Sequence, residues 1–122
     1  MLSSIWFIQI STDDEDLKRI NQKLKEAPEF KSIKDLQEGK WYRIKIFELV
    51  ATTKGERVRI QIVDKEFRDG SAYVHLPGRL NGDLVPVLAK FNRKCDSKKP
   101  IHIKYNGLKG NTFDLVFDTR KV

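Results

Sequence analysis

The sequence predicts a mainly β protein with five strands and a helix between the third and the fourth strand. Apolar and polar residues alternate in several short runs between residues 41 and 118, which is the period of strands with one buried face. Glycine-containing turns separate most of these runs. In residues 83–93, apolar residues recur at helical spacing instead. We therefore expect antiparallel strands on either side of one helix.

The first two strands lie in the stretch KWYRIKIFELVATTKGERVRIQIVD, residues 40–64. Lys54 and Gly55 supply the turn between them, because glycine adopts a positive φ without strain. Alternation places apolar residues on one face for a core, and we expect these to be Ile44, Ile46, Val58, Ile60 and Ile62. The opposite face is then cationic and partly aromatic.

The remaining elements follow from the same patterns. Asp69 and Gly70 mark a turn into the third strand, AYVHLP. The core face of this strand carries Ala72, Val74 and Leu76. The helix DLVPVLAKFNR is capped by Asp83, and Pro86 falls in its first turn, where a missing N–H costs little. Two further strands, IHIKY and TFDLVFD, are joined by the loop NGLKGN.

Residues 1–29 form an N-terminal leader in this interpretation, and residues 30–122 form the domain. The apolar run MLSSIWFIQI is either a first strand or a hydrophobic flap that packs on the domain. A helix follows, capped by Ser11 or Thr12 and ended by Pro28. The residues expected to form its apolar stripe are Leu17, Ile20 and Leu24, and those expected to pack on the sheet are Phe30, Ile33 and Leu36.

The charge of the chain is positive and unevenly distributed. The formal net charge is +7; residues 1–39 carry six Lys/Arg and eight Asp/Glu, whereas residues 40–122 carry 18 and nine. The excess of positive charge in residues 40–122 favours a polyanionic partner, with nucleic acid ahead of an anionic membrane surface. No stretch is long and apolar enough to span a bilayer. We expect a soluble intracellular protein, in the nucleus or at a site of DNA replication.

The sequence offers little for catalysis or metal binding. Cys95 is the only cysteine, so no disulfide within the chain is possible, and with two histidines a structural zinc site is not expected. Asp64, Glu66 and Asp69 after the second strand form either a polar turn or a metal site, and the polar turn is favoured. No serine has a neighbouring histidine motif. We therefore expect a non-enzymatic protein without a cofactor or a metal.

The outward positions of the first three strands lack carboxylates. Alternation assigns to this face Arg43, Lys45, Phe47, Arg57, Arg59, Gln61, Tyr73 and His75. Such a face suits single-stranded nucleic acid, because phosphates bind cationic side chains while unpaired bases stack on aromatic rings. In the other interpretation, Lys and Arg stems cover a solvated sheet and the leader covers Phe47 or Tyr73. Trp41 faces either this side, or the core or the N-terminal helix.

The element order over residues 30–118 resembles the oligonucleotide-binding (OB) fold of replication-protein-A-like single-stranded DNA-binding domains. That fold is a five-stranded barrel with a helix between strands three and four. The phrase YVHLPGRL is also similar to a strand-to-helix junction in small OB proteins of invertebrate viruses and mobile elements. The resemblance implies an OB-type barrel preceded by an extra N-terminal helix.

The resemblance also implies where a ligand lies, because in OB domains it crosses strands two and three between two flanking loops. Here those loops are Thr52–Glu56 and Asn106–Asn111, which add Lys54 and Lys109 to the expected site, and Arg79 is included as well. We expect a single-stranded DNA-binding protein with weak sequence preference that serves replication, recombination or repair. One alternative is an RNA-binding module. The other is a protein-interaction adaptor in which residues 1–10 bind another chain or form a homo-oligomer.

Overall fold

The computed structural model describes residues 15–20, which are helical, and residues 29–122. The strands are β1 (Glu29–Lys31), β2 (Trp41–Thr52), β3 (Gly55–Val63), β4 (Ser71–His75), β5 (Ile101–Lys109) and β6 (Thr112–Thr119). Between β4 and β5 lie a 3-10 turn (Gly78–Leu80), α1 (Asn81–Leu84), a second 3-10 turn (Val85–Val87) and α2 (Leu88–Cys95). Another 3-10 turn, Ile33–Asp35, follows β1. No helix within these described ranges is long and apolar enough to cross a membrane.

The six strands form one mixed sheet in the order β1-β4-β3-β2-β5-β6. β1 pairs with β4 in parallel, and the other ladders are antiparallel. The mainly β class and the helical segment between the third and fourth predicted strands are therefore confirmed. Closure into a barrel is not observed, since within residues 29–122 no ladder joins β6 to β1 or β4. β6 is nevertheless linked to the turn that follows β4, because Arg79 Nη2 donates a hydrogen bond to the carbonyl of Phe113 at 3.0 Å.

One face of the sheet is buried, and strand alternation predicted most of it. The predicted core residues that are buried are Ile44, Val58, Ile60, Ile62, Ala72, Val74 and Leu76. α2 lies on this side, where Phe91 packs edge-on against Phe47 with ring centroids 5.4 Å apart. We call this side the inner face of the sheet and the opposite side the outer face.

β2 contains a bulge that exchanges its two faces. Ile44 and Ile46 pair with adjacent residues of β3, so Lys45 between them is an extra residue. Beyond it, Phe47 points inward and is 1% exposed, whereas Ile46 is 38% exposed. The predictions that Phe47 faces outward and that Ile46 is buried were therefore wrong. A strict two-residue period does not continue past an inserted residue.

The bulge lies where β2 leaves β5, since only Trp41, Tyr42 and Arg43 pair with β5. Beyond that point the side-chain amide of Asn92 on α2 replaces a strand partner. Its Oδ1 accepts the backbone N–H of Phe47 at 2.7 Å, and its Nδ2 donates to the carbonyl of Phe47 at 2.9 Å. The backbone of this buried residue is thereby satisfied although β5 does not pair with β2 at this position.

The helix and the last hairpin differ from prediction at their boundaries. Helical structure begins before Asp83, which is therefore not a cap, and Pro86 lies in the 3-10 turn Val85–Val87. β5 continues to Lys109, so the predicted loop over residues 106–111 shrinks to a tight turn. Within β5, Gly107 has a φ of 95° at a break in the ladder with β6, a bulge conformation that favours glycine.

Much of the predicted leader lies outside the described residues. This applies to the strand or flap at residues 1–10, and with it to the proposed adaptor contact, and also to Leu24 and Pro28. The helical residues that are described include Leu17 and Ile20, which are 54% and 53% exposed. The predicted apolar stripe of this helix is thus open to solvent in its described part.

The polar turn predicted after β3 is present and hydrogen-bonded. Lys40 Nζ lies 2.9 Å from Asp64 Oδ2 and 3.7 Å from Glu66 Oε2. Asp64 Oδ2 also accepts the backbone N–H of Glu66 at 3.1 Å. Among the residues that the structure describes, no three His, Cys, Asp or Glu side chains converge as a metal site would require. The carboxylates bind a lysine and the backbone of their own turn.

We expect Asp64 to make the stability of the protein depend on pH in the acid range. Burial raises the pKa of Asp64, but hydrogen bonds from Lys40 and the Glu66 backbone outweigh burial and hold the pKa below its ordinary value of 3.8. A lowered folded-state pKa contributes stability above the unfolded-state pKa, and this is lost as the pH falls through the folded-state pKa. Thermal melts between about pH 7 and about pH 3 should therefore show a smaller loss of Tm for Asp64→Asn than for the wild type.

The exposed carboxylate of Asp83 provides the matched control for this measurement. Asp83→Asn should reproduce the wild-type loss of Tm. If Asp64→Asn loses as much Tm on acidification as Asp83→Asn does, the bond from Lys40 does not contribute.

Candidate nucleic-acid interface

The outer face of β1, β4 and β3 presents aromatic and polar side chains in adjacent rows. Strand register places Phe30 beside Tyr73 and Tyr73 beside Gln61, and it places His75 beside Arg59. Paired residues point to the same side of a sheet, so their side chains can touch. The outward orientation predicted for β3 and β4 is confirmed.

Phe30, Tyr73 and His75 form a group of three rings, which we call the aromatic cluster. The ring centroid of Phe30 lies 5.5 Å from that of Tyr73 at an interplanar angle of 30°, and 6.2 Å from that of His75 at 10°. Phe30 is 56% exposed, and His75 is exposed as well. An exposed phenyl ring held by two neighbouring rings offers a surface on which a base can stack.

Arg59 contacts this cluster from β3. Its Cζ lies 4.4 Å from the centroid of the Tyr73 ring, and its Nη2 lies 3.0 Å from Glu48 Oε1. Because β3 and β1 flank β4, Arg59 and Phe30 approach Tyr73 from opposite sides. Tyr73 is therefore the middle of the stack, and the positive charge of Arg59 is shared with Glu48. Phe30, rather than Tyr73, presents the open ring.

Phe30 and Glu48 were not recognised as outer-face residues from the sequence. Phe30 was expected to pack on the sheet with Ile33 and Leu36, and only the latter two are buried. β1 is three residues long, too short for alternation to reveal it. The sequence did indicate that Glu48 faces outward. An unbroken two-residue period from Ile44 would bury its carboxylate, and carboxylates are rarely buried without a partner.

Two clefts meet at His75 on this side of the molecule, with volumes of about 250 and about 370 Å³. The first is lined by Thr52, Thr53, Lys54, Arg57, His75 and Leu76. The lining of the second includes Lys31, Ser32, Lys34, Pro77 and Phe113 beside His75 and Leu76. In the described part of the chain neither lining includes an acidic residue, and the two linings together include four Lys and Arg residues. We call the two clefts together the His75 groove.

Arg57 supplies the planar guanidinium of the His75 groove. Its Nη1 donates to the carbonyl of Glu56 at 2.8 Å, and it makes no ion pair within residues 29–122. The guanidinium lies against Gly78, where an added Cβ would come within 2.9 Å of the Arg57 Cζ. The glycine at the strand-to-helix junction thus leaves room for the guanidinium. Lys54 is exposed at the adjacent turn.

Three other predicted site residues are engaged within the protein. Phe47 belongs to the core, Arg79 binds the carbonyl of Phe113, and Gln61 Nε2 donates to Ser71 Oγ at 3.1 Å. These residues support the surface and do not offer free groups to a ligand.

The last three predicted residues lie outside the groove. Lys45 is exposed at the bulge of β2, and Lys109 is exposed at the end of β5. Arg43, on β2, has a buried Nε without a hydrogen-bond partner among the described residues. The structure therefore brings together Lys54, Arg57, Tyr73 and His75 with Arg59, and it leaves the other predicted cations apart from them.

A third cleft, of about 390 Å³, lies between α2 and the β5–β6 hairpin. Its lining includes Lys90, Phe91, Lys94 and Phe117, together with an acidic residue, Asp118. Although it is slightly larger, it lacks a strongly exposed ring and is not free of acid. We therefore assign the candidate interface to the His75 groove.

No family model matches the chain, and no curated protein or solved structure matches it either.

Proposed function

We propose that the His75 groove binds a single strand of nucleic acid, with DNA as the ligand and little preference for sequence. The observation that carries the proposal is the exposed ring of Phe30 beside two clefts that contain cations and no carboxylate. The protein acts by binding alone, and it would serve replication, recombination or repair.

The charges of the groove suit a phosphate backbone. Lys54 and Arg57 lie on one side of His75, and Lys31 and Lys34 lie on the other. Of these four, Lys31 has a carboxylate partner, Glu29 Oε2 at 3.0 Å, and the others make no ion pair within residues 29–122. Phosphates that bind these side chains release counterions. Each base stacked on a ring contributes roughly 1–3 kcal/mol regardless of its identity, because every base has a π face.

We also infer that the sheet is of the OB type, with β2 to β6 as its five strands and β1 as an addition. The strand order β4-β3-β2-β5-β6 and the helical segment before β5 support this inference. The bond from Arg79 to Phe113 supports it too, since it spans the gap that a closed barrel would fill. The His75 groove then lies on the second and third strands, where OB domains hold their ligands.

Fluorescence anisotropy tests the proposed function. The labelled ligands are oligothymidine, mixed-sequence single-stranded DNA, single-stranded RNA and duplex DNA. We expect similar affinity for the two single-stranded DNAs, much weaker binding of the duplex, and a steep fall in affinity with salt. Duplex binding that equals single-strand binding would contradict the proposal. Tighter binding of RNA than of DNA would contradict DNA as the ligand.

Arg57→Ala should weaken single-strand binding. It should also lower the salt slope, meaning the magnitude of the negative slope of log affinity against log salt, by about 0.7 for one lost phosphate contact. Arg59→Ala should lower this slope less, because Glu48 already shares the charge of Arg59. Lys90→Ala on α2 removes the same charge on the inner-face side and should leave the slope unchanged. Anisotropy titrations at several salt concentrations measure all three. Equal slopes for Arg57→Ala and Lys90→Ala would exclude Arg57 as a phosphate contact.

A further inference from the structure

A second cationic and aromatic group lies on the outer face, away from the His75 groove. Lys104 Nζ and Arg120 Cζ lie 4.8 and 4.7 Å from the centroid of the Trp41 ring. Trp41 and Lys104 pair across β2 and β5, and both alternate with the buried residues Tyr42 and Ile103. Their side chains therefore point outward. We call Trp41, Lys104 and Arg120 the Trp41 cluster.

The two cations of the Trp41 cluster make no ion pair within residues 29–122. On β6, Val116 is the register partner of Lys104, and the carboxylates two residues to either side are Asp114 and Asp118. Asp118 Oδ1 instead accepts the backbone N–H of Thr119 at 2.8 Å. Two positive charges that converge on one ring repel each other, and an anion between them removes this repulsion.

The Trp41 cluster lies within reach of a strand bound in the His75 groove. Two strand spacings separate β2 from β4, or about 10 Å, and the five residues from Trp41 to Ile46 span about 15 Å along β2. Ile46 pairs with Gln61 in the row that contains Tyr73. The Trp41 cluster is therefore roughly 20 Å from the aromatic cluster, which corresponds to about six stacked nucleotides at ~3.4 Å each. Arg43 lies on β2 between the two.

We propose that the Trp41 cluster is a second contact site for the same single strand. A phosphate binds between Lys104 and Arg120, and the adjoining sugar or base lies against the indole of Trp41. This proposal rests on the proposed function of the His75 groove. It assigns the strand a path along the outer face, from the β2–β3 turn towards the opposite end of the sheet.

Oligonucleotides of two lengths distinguish binding at the His75 groove from binding at the Trp41 cluster. Oligothymidine of about four nucleotides fits the His75 groove alone, and one of about twelve nucleotides reaches both sites; these lengths are within the range for single OB domains. Lys104→Ala/Arg120→Ala removes the two cations of the Trp41 cluster. The matched control is Lys90→Ala/Lys94→Ala on α2, which removes the same charge from exposed positions on the inner-face side.

Lys104→Ala/Arg120→Ala should weaken binding of the longer oligomer several-fold, lower its salt slope by about 0.7, and leave binding of the shorter one unchanged. Lys90→Ala/Lys94→Ala should change neither the affinity for the longer oligomer nor its salt slope. If the two variants bind the longer oligomer equally well, or if the cluster variant loses both oligomers equally, the second site is excluded while the groove stands. If the wild type binds neither oligomer, the proposed function itself fails.

Tryptophan fluorescence gives a second readout that does not depend on these substitutions. The chain has two tryptophans, so Trp6→Phe leaves Trp41 as the only one. The longer oligomer should quench the fluorescence of Trp41 in this variant, and the shorter oligomer should not. An unchanged signal at saturation with the longer oligomer would overturn the proposal.

Discussion

Phe47→Ala should lower the free energy of unfolding by about 3–5 kcal/mol, the range for truncating a buried phenylalanine. Phe47 is 1% exposed, and its ring centroid lies 5.4 Å from that of Phe91 and 6.3 Å from that of Phe117. Its loss leaves a cavity between the sheet and α2. Urea denaturation followed by circular dichroism measures the change.

Ile46→Ala is the matched control, because the neighbouring residue is 38% exposed on the other face. It should cost about 1 kcal/mol or less, as substitutions outside the core usually do. If Ile46→Ala costs more than Phe47→Ala, the bulge at Lys45 is misplaced and the two faces of β2 are exchanged.

Phe30→Ala should weaken single-strand binding by about 1–3 kcal/mol, or roughly 5- to 150-fold in Kd. Phe30 is the exposed ring of the aromatic cluster, so its removal takes away the surface on which a base stacks. The salt slope should stay close to that of the wild type, because stacking releases few counterions. A loss of affinity with an unchanged salt slope distinguishes Phe30→Ala from Arg57→Ala.

Phe30→Tyr keeps an aromatic ring at this position and should retain most of the affinity. Leu108→Ala provides a control for the loss of an exposed apolar side chain, since Leu108 is 65% exposed on β5. It should not change binding. Equal losses for Phe30→Ala and Phe30→Tyr would show that the ring does not stack on a base.

Strand alternation located the hairpin of β3 and β4 well for a physical reason. Both strands pair with neighbours on each side without a break in their shared ladder, so the two-residue period continues from Val58 to Ile62 and from Ala72 to Val74. Glycine also marked real turns, since Gly55 and Gly70 have φ values of 102° and 80°. The local residue pattern was therefore sufficient to predict these strands and turns.

The orientation of Phe47 could not be predicted in this way, because its cause lies elsewhere in the chain. The face of β2 changes at Lys45, and the backbone beyond it is held by the amide of Asn92, which is 45 residues away in sequence from Phe47. A polar residue on a distant helix leaves no mark on the local alternation. Glu48 consequently joined the outer face and paired with Arg59.

Only part of the candidate site could be predicted, because local alternation does not describe contacts between residues that are distant in sequence. Arg57, Tyr73 and His75 lie on continuous strands, and their grouping followed from alternation. Phe30 lies on β1, whose parallel pairing with β4 joins residues more than 40 positions apart. The most exposed ring of the site is therefore supplied by a contact that no local pattern describes.

An NMR titration tests the location of the ligand most directly. Backbone amide spectra of the ¹⁵N-labelled protein would be followed while oligothymidine of about twelve nucleotides is added. The amides of Phe30, Lys31, Arg57 and His75 should shift with the ligand, and those around Lys94 in the cleft beside α2 should not. Shifts confined to the α2 cleft, or no shifts at saturating ligand, would contradict a single-strand site in the His75 groove.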